Sequence, residues 1–387
     1  MHVRVTGLLL LFTAAACGTD VGQGGVTVRD SAGIRIVQNP APAANGEVRW
    51  RADATPSLTI GAIDGEAAYQ LDGVRSVLRL PDGRLLIAQG AELRFFDDAG
   101  RHLHTAGGEG DGPGEFRRLR SVRTCGSGLI AEDLQIPRVS RLNADGAFRE
   151  SAEAPPMDRG SLPPVAGCFG TELVYSLRKP ADVAPGARVL RRDTSVLVRF
   201  GTGGTRDTLI RIPRLETFDG LTRPFGRTAL YTLTDSNIHV ADTSACEVRS
   251  YNLRGRLQRI IRCGAVGQPV DATDVDSIRA RYISGVPPSL LEQEILPRLD
   301  AVPFPDTKPV LSALRVDTAG HLWLRPYAQP EEGSVRWWVF DPDGAFAGVA
   351  ETPAGLTVHA IDTAAVLGVW RDEMDVEYVR AYPLFKR

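Results

Sequence analysis

Gly107 to Glu115 (GGEGDGPGE) is the stretch whose residue types first suggest chemistry, because glycine-rich turns can cradle phosphate and spaced carboxylates can hold Ca²⁺. It lacks the Gly-Lys-Ser/Thr ending of a phosphate loop, and Glu109, Asp111 and Glu115 would repel a phosphate. The alternating acidic pattern closed by a bidentate glutamate, which a calcium loop needs, is also missing. A connecting turn that requires glycine φ values accounts for the stretch. The histidines are scattered: His102 and His104 fall on one face of a predicted outer strand, while His239, His321 and His359 sit singly on strands. No H-E-x-x-H, paired C-x-x-C or G-x-S-x-G is present, so the zinc-protease, zinc-ribbon and serine-hydrolase motifs are absent. Trp323, Trp337, Trp338 and Trp370 alternate within predicted strands, which suits core packing better than a ligand box.

The elements that would position any site are short strands. Forty Gly and 26 Pro among 387 residues point to many turns and few long helices. Val74 to Phe116 holds alternating apolar runs, a Pro-Asp-Gly turn and a second turn at Asp98-Ala99-Gly100. Its acidic exit recurs: Gly65-Glu66, Tyr69 and Val74-Arg75-Ser76-Val77 match Gly114-Glu115-Phe116 and Leu119-Arg120-Ser121-Val122, with Ser76 and Ser121 in register. A period of about 45 residues is the signature of propeller blades. Further units run from Leu119 to Ala152, Pro163 to Pro213 (degenerate, with a polar insertion near 178 to 194), Phe225 to Cys263, Leu314 to Glu351 and Leu356 to Leu384. The last holds three strands, and Leu58 to Gly61 is the expected donor of its outermost one, closing the ring. The fold expected is therefore all-β, a six-bladed propeller over residues 57–387, preceded by a hairpin and linker over 26–56. Residues 264–308 differ in texture and predict two short helices between the fourth and fifth units, over 271–284 and 289–299, the second opening on a capping box at Ser289-Leu290-Leu291-Glu292. Such an insertion suits a cap on the channel, a partner surface or a packed decoration of the rim.

The net charge of -2 argues against a nucleic-acid or anionic-membrane surface. Lys179, Lys308 and Lys386 are the lysines, and the arginine bias reads as genomic composition. Arg4 followed by the apolar run from Val5 to Ala16 is too short to span a bilayer core, which needs about 20 residues, and predicts a signal peptide over 1–16. Ala14-Ala15-Ala16-Cys17-Gly18 resembles the lipobox of bacterial lipoproteins. That resemblance implies lipidation of Cys17, a tether over 17–25 and an outer-membrane address; cleavage after Ala16 without a lipid is the other reading. In an oxidising compartment Cys125, Cys168, Cys246 and Cys263 allow three pairings. A two-residue turn at Arg254-Gly255 would place Cys246 opposite Cys263 at a non-hydrogen-bonded position, and a three-residue turn would offset them by one. Aligning the repeats puts Cys125 and Cys168 at equivalent positions of adjacent units, where a bridge between blades is reasonable.

Residues 57–384 resemble the six-bladed propellers of the NHL and TolB-like group, in particular bacterial lipoproteins whose blades end in G-x-G-x-GPGEF, here Gly108, Gly110, Gly112, Pro113, Gly114, Glu115 and Phe116. NHL-style runs also occur at Asp133 with Arg138-Val139 and at Asp242 with Val248. The resemblance implies a shape more than an activity. Lactonase-like propellers share that shape and hold Ca²⁺ in the channel with Glu, Asn and Asp; Asp133, Asp235, Asn237 and Asp242 are of the right type near strand ends, and equally suit turn capping. Two functions follow as expectations. The first is a non-catalytic, lipid-anchored binding or scaffold module with no resident cofactor, for a protein or envelope ligand. The second is a Ca²⁺-dependent hydrolase. A sugar-binding propeller has no supporting motif.

Overall fold

The computed structural model describes residues 20–21, 25–43, 46–152, 154–156, 162–184, 187–201, 204–284, 296–327 and 333–386. The expected signal peptide, Cys17 and the Ser289 capping box lie outside the described residues. The described chain is a β-propeller of antiparallel meanders in chain order. The first unit pairs Ser76–Arg79, Leu85–Gln89, Glu92–Phe96 and His102–Gly107, and the second Leu119–Cys125, Gly128–Asp133, Val139–Leu142 and Phe148–Ser151. The third runs from Val165–Phe169 to Leu221–Thr222, beyond the expected end at Pro213, because its last long strands, Leu190–Phe200 and Arg206–Phe218, extend each other through Glu216 and Phe218. The fourth holds Ala229–Leu233, Asn237–Asp242, Glu247–Asn252 and Leu257–Cys263. A nine-stranded sheet contains two further meanders, Leu311–Val316 to Phe346–Pro353 and Thr357–Ile361 to Glu377–Lys386, joined by Val48–Ala52.

Leu58–Ile60 pairs antiparallel with Ala381 to Val379, so the early strand completes the last unit. The segment read as hairpin and linker is more than that. Its hairpin, Thr27–Ser31 with Ile34–Asn39, adds to the fourth unit by parallel pairing of Arg35–Asn39 with Arg259–Cys263. Val48–Ala52 pairs parallel with Val349–Glu351 on one side and antiparallel with Leu384–Lys386 on the other. Buried Asn39 fixes the docking, donating from Nδ2 to Arg262 O (3.1 Å) and Gly344 O (3.0 Å) and accepting from Phe346 N (2.7 Å).

The hydrophobic core lies between sheets, since a strand packed on both faces has no solvated side: Leu85–Gln89 is buried at every position. Each apolar cluster draws on two consecutive units. Phe95, Leu119 and Leu129 join the first to the second, and Ile60, Leu85 and Val379 join the last to the first. Trp50 carries the N-terminal strand into the cluster of Trp323, Trp337 and Val366. Trp338 and Trp370 are half-buried against such clusters, with the Arg380 guanidinium 3.6 Å above the Trp370 ring. Buried carboxylates tie backbones across the same seams: Glu132 Oε1 accepts from Val165 N (2.8 Å), and Glu377 Oε2 from Val74 N (2.7 Å).

Both disulfides form, Cys125 with Cys168 between the second and third units and Cys246 with Cys263 within the fourth. The second pair meets at a different kind of strand position from the one expected. The turn spans Asn252 to Arg256 and a bulge between Ser250 and Tyr251 restores the pairing, so Cys246 does face Cys263. The position is hydrogen-bonded, Cys263 N donating to Cys246 O at 2.9 Å, and the Cα atoms stand 5.3 Å apart.

Residues 264–308 carry helices over Ala272–Ile283 and Leu296–Asp300, and the capping box that the structure describes is at Asp271 and Asp274. Their described residues sit on the rim: Tyr282 Oη donates to Thr222 O, Arg298 to Asp219 O, and Phe225 contacts Phe304 and Tyr327.

Candidate functional site

Where the innermost strands converge they leave a cavity of roughly 650 Å³, lined by Arg75–Leu78, Ser121–Thr124, Ala166–Cys168, Tyr231–Asp235, Leu314–Arg315 and Thr357–His359. Short side chains at many of these positions keep it open. Gly167 lets the third and fourth inner strands approach, since a Cβ there would stand 2.9 Å from the Leu233 side chain. The strands are held in rank by Ser76 Oγ, which accepts from Val122 N (2.9 Å), and by Ser121 Oγ, which donates to Glu132 (2.6 Å).

The lining is cationic. Arg75, Arg123 and Arg315 contribute guanidinium groups, and Asp235 is the one carboxylate of the described lining. Arg315 is open to the channel yet crowded by protein on its other sides. Its Nη1 donates to Leu314 O (3.0 Å), and its Nε and Nη2 donate to Val358 O at 3.4 Å. None of the three arginines meets a carboxylate among the described residues, whereas arginines elsewhere are commonly paired, as in Arg117 with Asp111 or Arg223 and Arg227 with Glu216. Burial, with no counter-charge to offset it, holds the Arg315 pKa below its ordinary value. Burial first, and the nearby Arg315 charge second, pull His359 from 6.5 to about 4, so its imidazole is neutral at pH 7.

The residues expected as channel ligands are not brought together. Asp133 ends the second strand of its unit and caps backbone there, accepting from Arg117 N (2.7 Å), Arg118 N (3.2 Å), Gln135 N (2.7 Å) and Ile136 N (2.8 Å). Asp242 occupies the matching position two units on, accepting from Ser244 N (3.0 Å), Ser244 Oγ (2.7 Å) and Arg192 (3.0 Å). Asn237 donates to Ser236 Oγ (2.9 Å), and only Asp235 of the set lines the channel. No group of three or more His, Cys, Asp or Glu able to hold a metal occurs among the described residues. Residue type and proximity to a strand end do not separate a ligand from a cap; which strand of the blade carries the residue does.

The glycine stretch satisfies itself. Glu115 Oε2 accepts from Gly112 N (2.8 Å) and occupies the space where a Cβ at Gly110 would lie, while Phe116 is buried between units. Arg117 holds Asp111 through two bonds of 2.8 and 2.9 Å. A second cleft, roughly 420 Å³ between the second and third units, includes Arg141, which is spent on Thr171 O (2.7 Å) and Glu150. The channel is the site where unpaired charge converges. Arg75, Arg123 and Arg315 are not marked out by residue type, because arginine is common throughout the sequence. The signal was present in Arg75-Ser76-Val77 and Arg120-Ser121-Val122-Arg123, which put charge on the first strand of a unit, the one nearest the axis.

No family model and no curated protein matches the chain. Among solved structures it is similar to a DUF4221 member from Bacteroides vulgatus ATCC 8482, at 11% identity and TM-score 0.53 over 88% of this chain and 99% of that one. It is also similar to a protein of Bacteroides fragilis NCTC 9343 described as exported, at 12% identity and TM-score 0.50 over 91% and 99%. Likeness at this identity speaks to the fold alone.

Proposed function

We propose that the chain is a six-bladed β-propeller, exported and held at a bacterial outer membrane by a lipid on Cys17, that works as a binding or scaffold module with its ligand site in the central channel. The observation that supports binding is the channel itself: the innermost strands leave space of ligand size, about 300 to 1,000 Å³ being usual for small-molecule sites, and line it with unpaired arginine. The two disulfides favour an oxidising compartment. The rim insertion, with Ile283 and Val266 exposed, offers a surface to a protein partner. The lactonase-like reading draws no comparable support, because Asp133 and Asp242 spend their oxygens on turns and arginine repels Ca²⁺.

The test uses the exported protein. Intact mass should show a lipid on Cys17 and two disulfides, and Cys17→Ala should release the protein from the membrane fraction. Native mass spectrometry after exposure to an envelope extract should show a retained ligand that Arg123→Glu loses. Stabilisation by Ca²⁺ together with hydrolysis of simple lactones would favour the hydrolase instead.

A further inference from the structure

Resting on the channel as the ligand site, we infer that it is selective for a small doubly charged oxyanion, a phosphomonoester or dicarboxylate, with Arg315 as the anchor and Arg75 and Arg123 as flanking cations. Three guanidinium groups against the single carboxylate of Asp235 leave the lining with an excess of two positive charges among its described residues. A cation crowded by protein on one side and without a counter-ion lacks a strong partner, and the structure gives Arg315 only carbonyl acceptors, two of its three contacts at 3.4 Å. Carbonyl oxygens at that length replace water weakly, so the guanidinium keeps most of its capacity for a stronger acceptor. Its planar fork matches the paired oxygens of a carboxylate or phosphate, and bonds of that kind are the strong ones. The hydroxyl groups of Thr124, Thr232 and Thr357 in the same lining supply donors and acceptors for the rest of a hydrophilic ligand. A polymer such as nucleic acid does not fit the description, because the charge lies inside the ring while the net charge of the chain is -2.

The experiment is calorimetric titration of the exported chain with glucose 1-phosphate, inorganic phosphate, succinate and, as the neutral control, glucose. Binding of at least one of the three anions, with none by glucose, is expected. Arg315→Gln should weaken it on the order of 10- to 100-fold, and Arg315→Lys, which keeps the charge but loses the fork, should recover only part of that. Arg123→Gln, at an exposed position, should weaken it by a smaller factor and reduce its salt dependence, which keeps the test valid where Arg315 variants fail to fold. Phosphate binding as well as the sugar phosphate identifies the oxyanion itself as the recognised group; preference for the sugar phosphate adds the hydroxyl lining. Equal affinity of wild type and both Arg123→Gln and Arg315→Gln, or no anion binding at all, overturns the inference. Retention of a neutral envelope ligand by the same protein would overturn it while leaving the channel as a binding site.

Discussion

His239 and His359 illustrate how position, not residue type, decides behaviour. Burial foremost, and then Arg259, lowers His239 to about 4, and its Nδ1 pairs with Ser250 Oγ at 2.9 Å. In the unfolded chain both histidines return to about 6.5, so below that pH the unfolded state takes up protons that the folded state refuses. Their contribution is therefore complete above pH 6.5 and is lost as the pH falls toward 4. The loss is on the order of 3 kcal/mol for His239, which is 9% exposed, and less for half-buried His359. Glu216 extends the loss to lower pH: burial raises its pKa, but Arg223 and Arg227 outweigh burial and hold it below the usual carboxylate value. Urea midpoints measured from pH 7 to pH 4 should fall, and His239→Gln should flatten the limb between 6.5 and 4. A midpoint independent of pH there would contradict the burial argument. At this scale the sequence was least legible, since a single histidine or arginine carries no mark of which strand of a blade it occupies until the blades are aligned.

At the scale of elements, repetition made most of the fold readable. Turn signals such as Pro81-Asp82-Gly83 and the recurring Arg-Ser-Val placed the inner strands, and the shortage of one strand in the last unit pointed to Leu58–Ile60. Val48–Ala52 escaped because its five residues, VRWRA, lie among Pro, Ala and Gly and belong to no repeat; only Trp50 packing on Trp323 explains it. The cysteine pairs behave as staples at two ranges. The Cys125–Cys168 loop spans 43 residues and the Cys246–Cys263 loop 17. In chain-entropy terms removal of the first pair should cost about 4 kcal/mol and of the second about 3. Thermal unfolding of the two double Cys→Ser variants should rank in that order; the reverse would mean that packing at the sites, not loop length, governs.

For the whole molecule, the N-terminal segment decides whether sheet edges are left open. The outermost strands Leu257–Cys263 and Phe346–Pro353 are both covered by it, and an uncovered strand edge is a template for association. Deleting residues 26–56 should leave a folded but self-associating protein, detected as oligomers by light scattering. Extending the deletion through 61 also removes the strand that completes the last unit and uncovers Val379, so it should abolish a cooperative unfolding transition. Full cooperativity in the longer deletion would show that closure of the ring contributes little.

The same pairing sets how late in synthesis the ring can close. Leu58–Ile60 waits for Val379–Ala381, and Val48–Ala52 for Val349–Glu351 and Leu384–Lys386, so these two early strands, unlike the hairpin before them, have no partners until almost the whole chain has been made. Such distant contacts fold slowly, since loop closure is met before any contact rewards it. A ring that cannot lock while the chain is still emerging stays threadable, as the export proposed above would require.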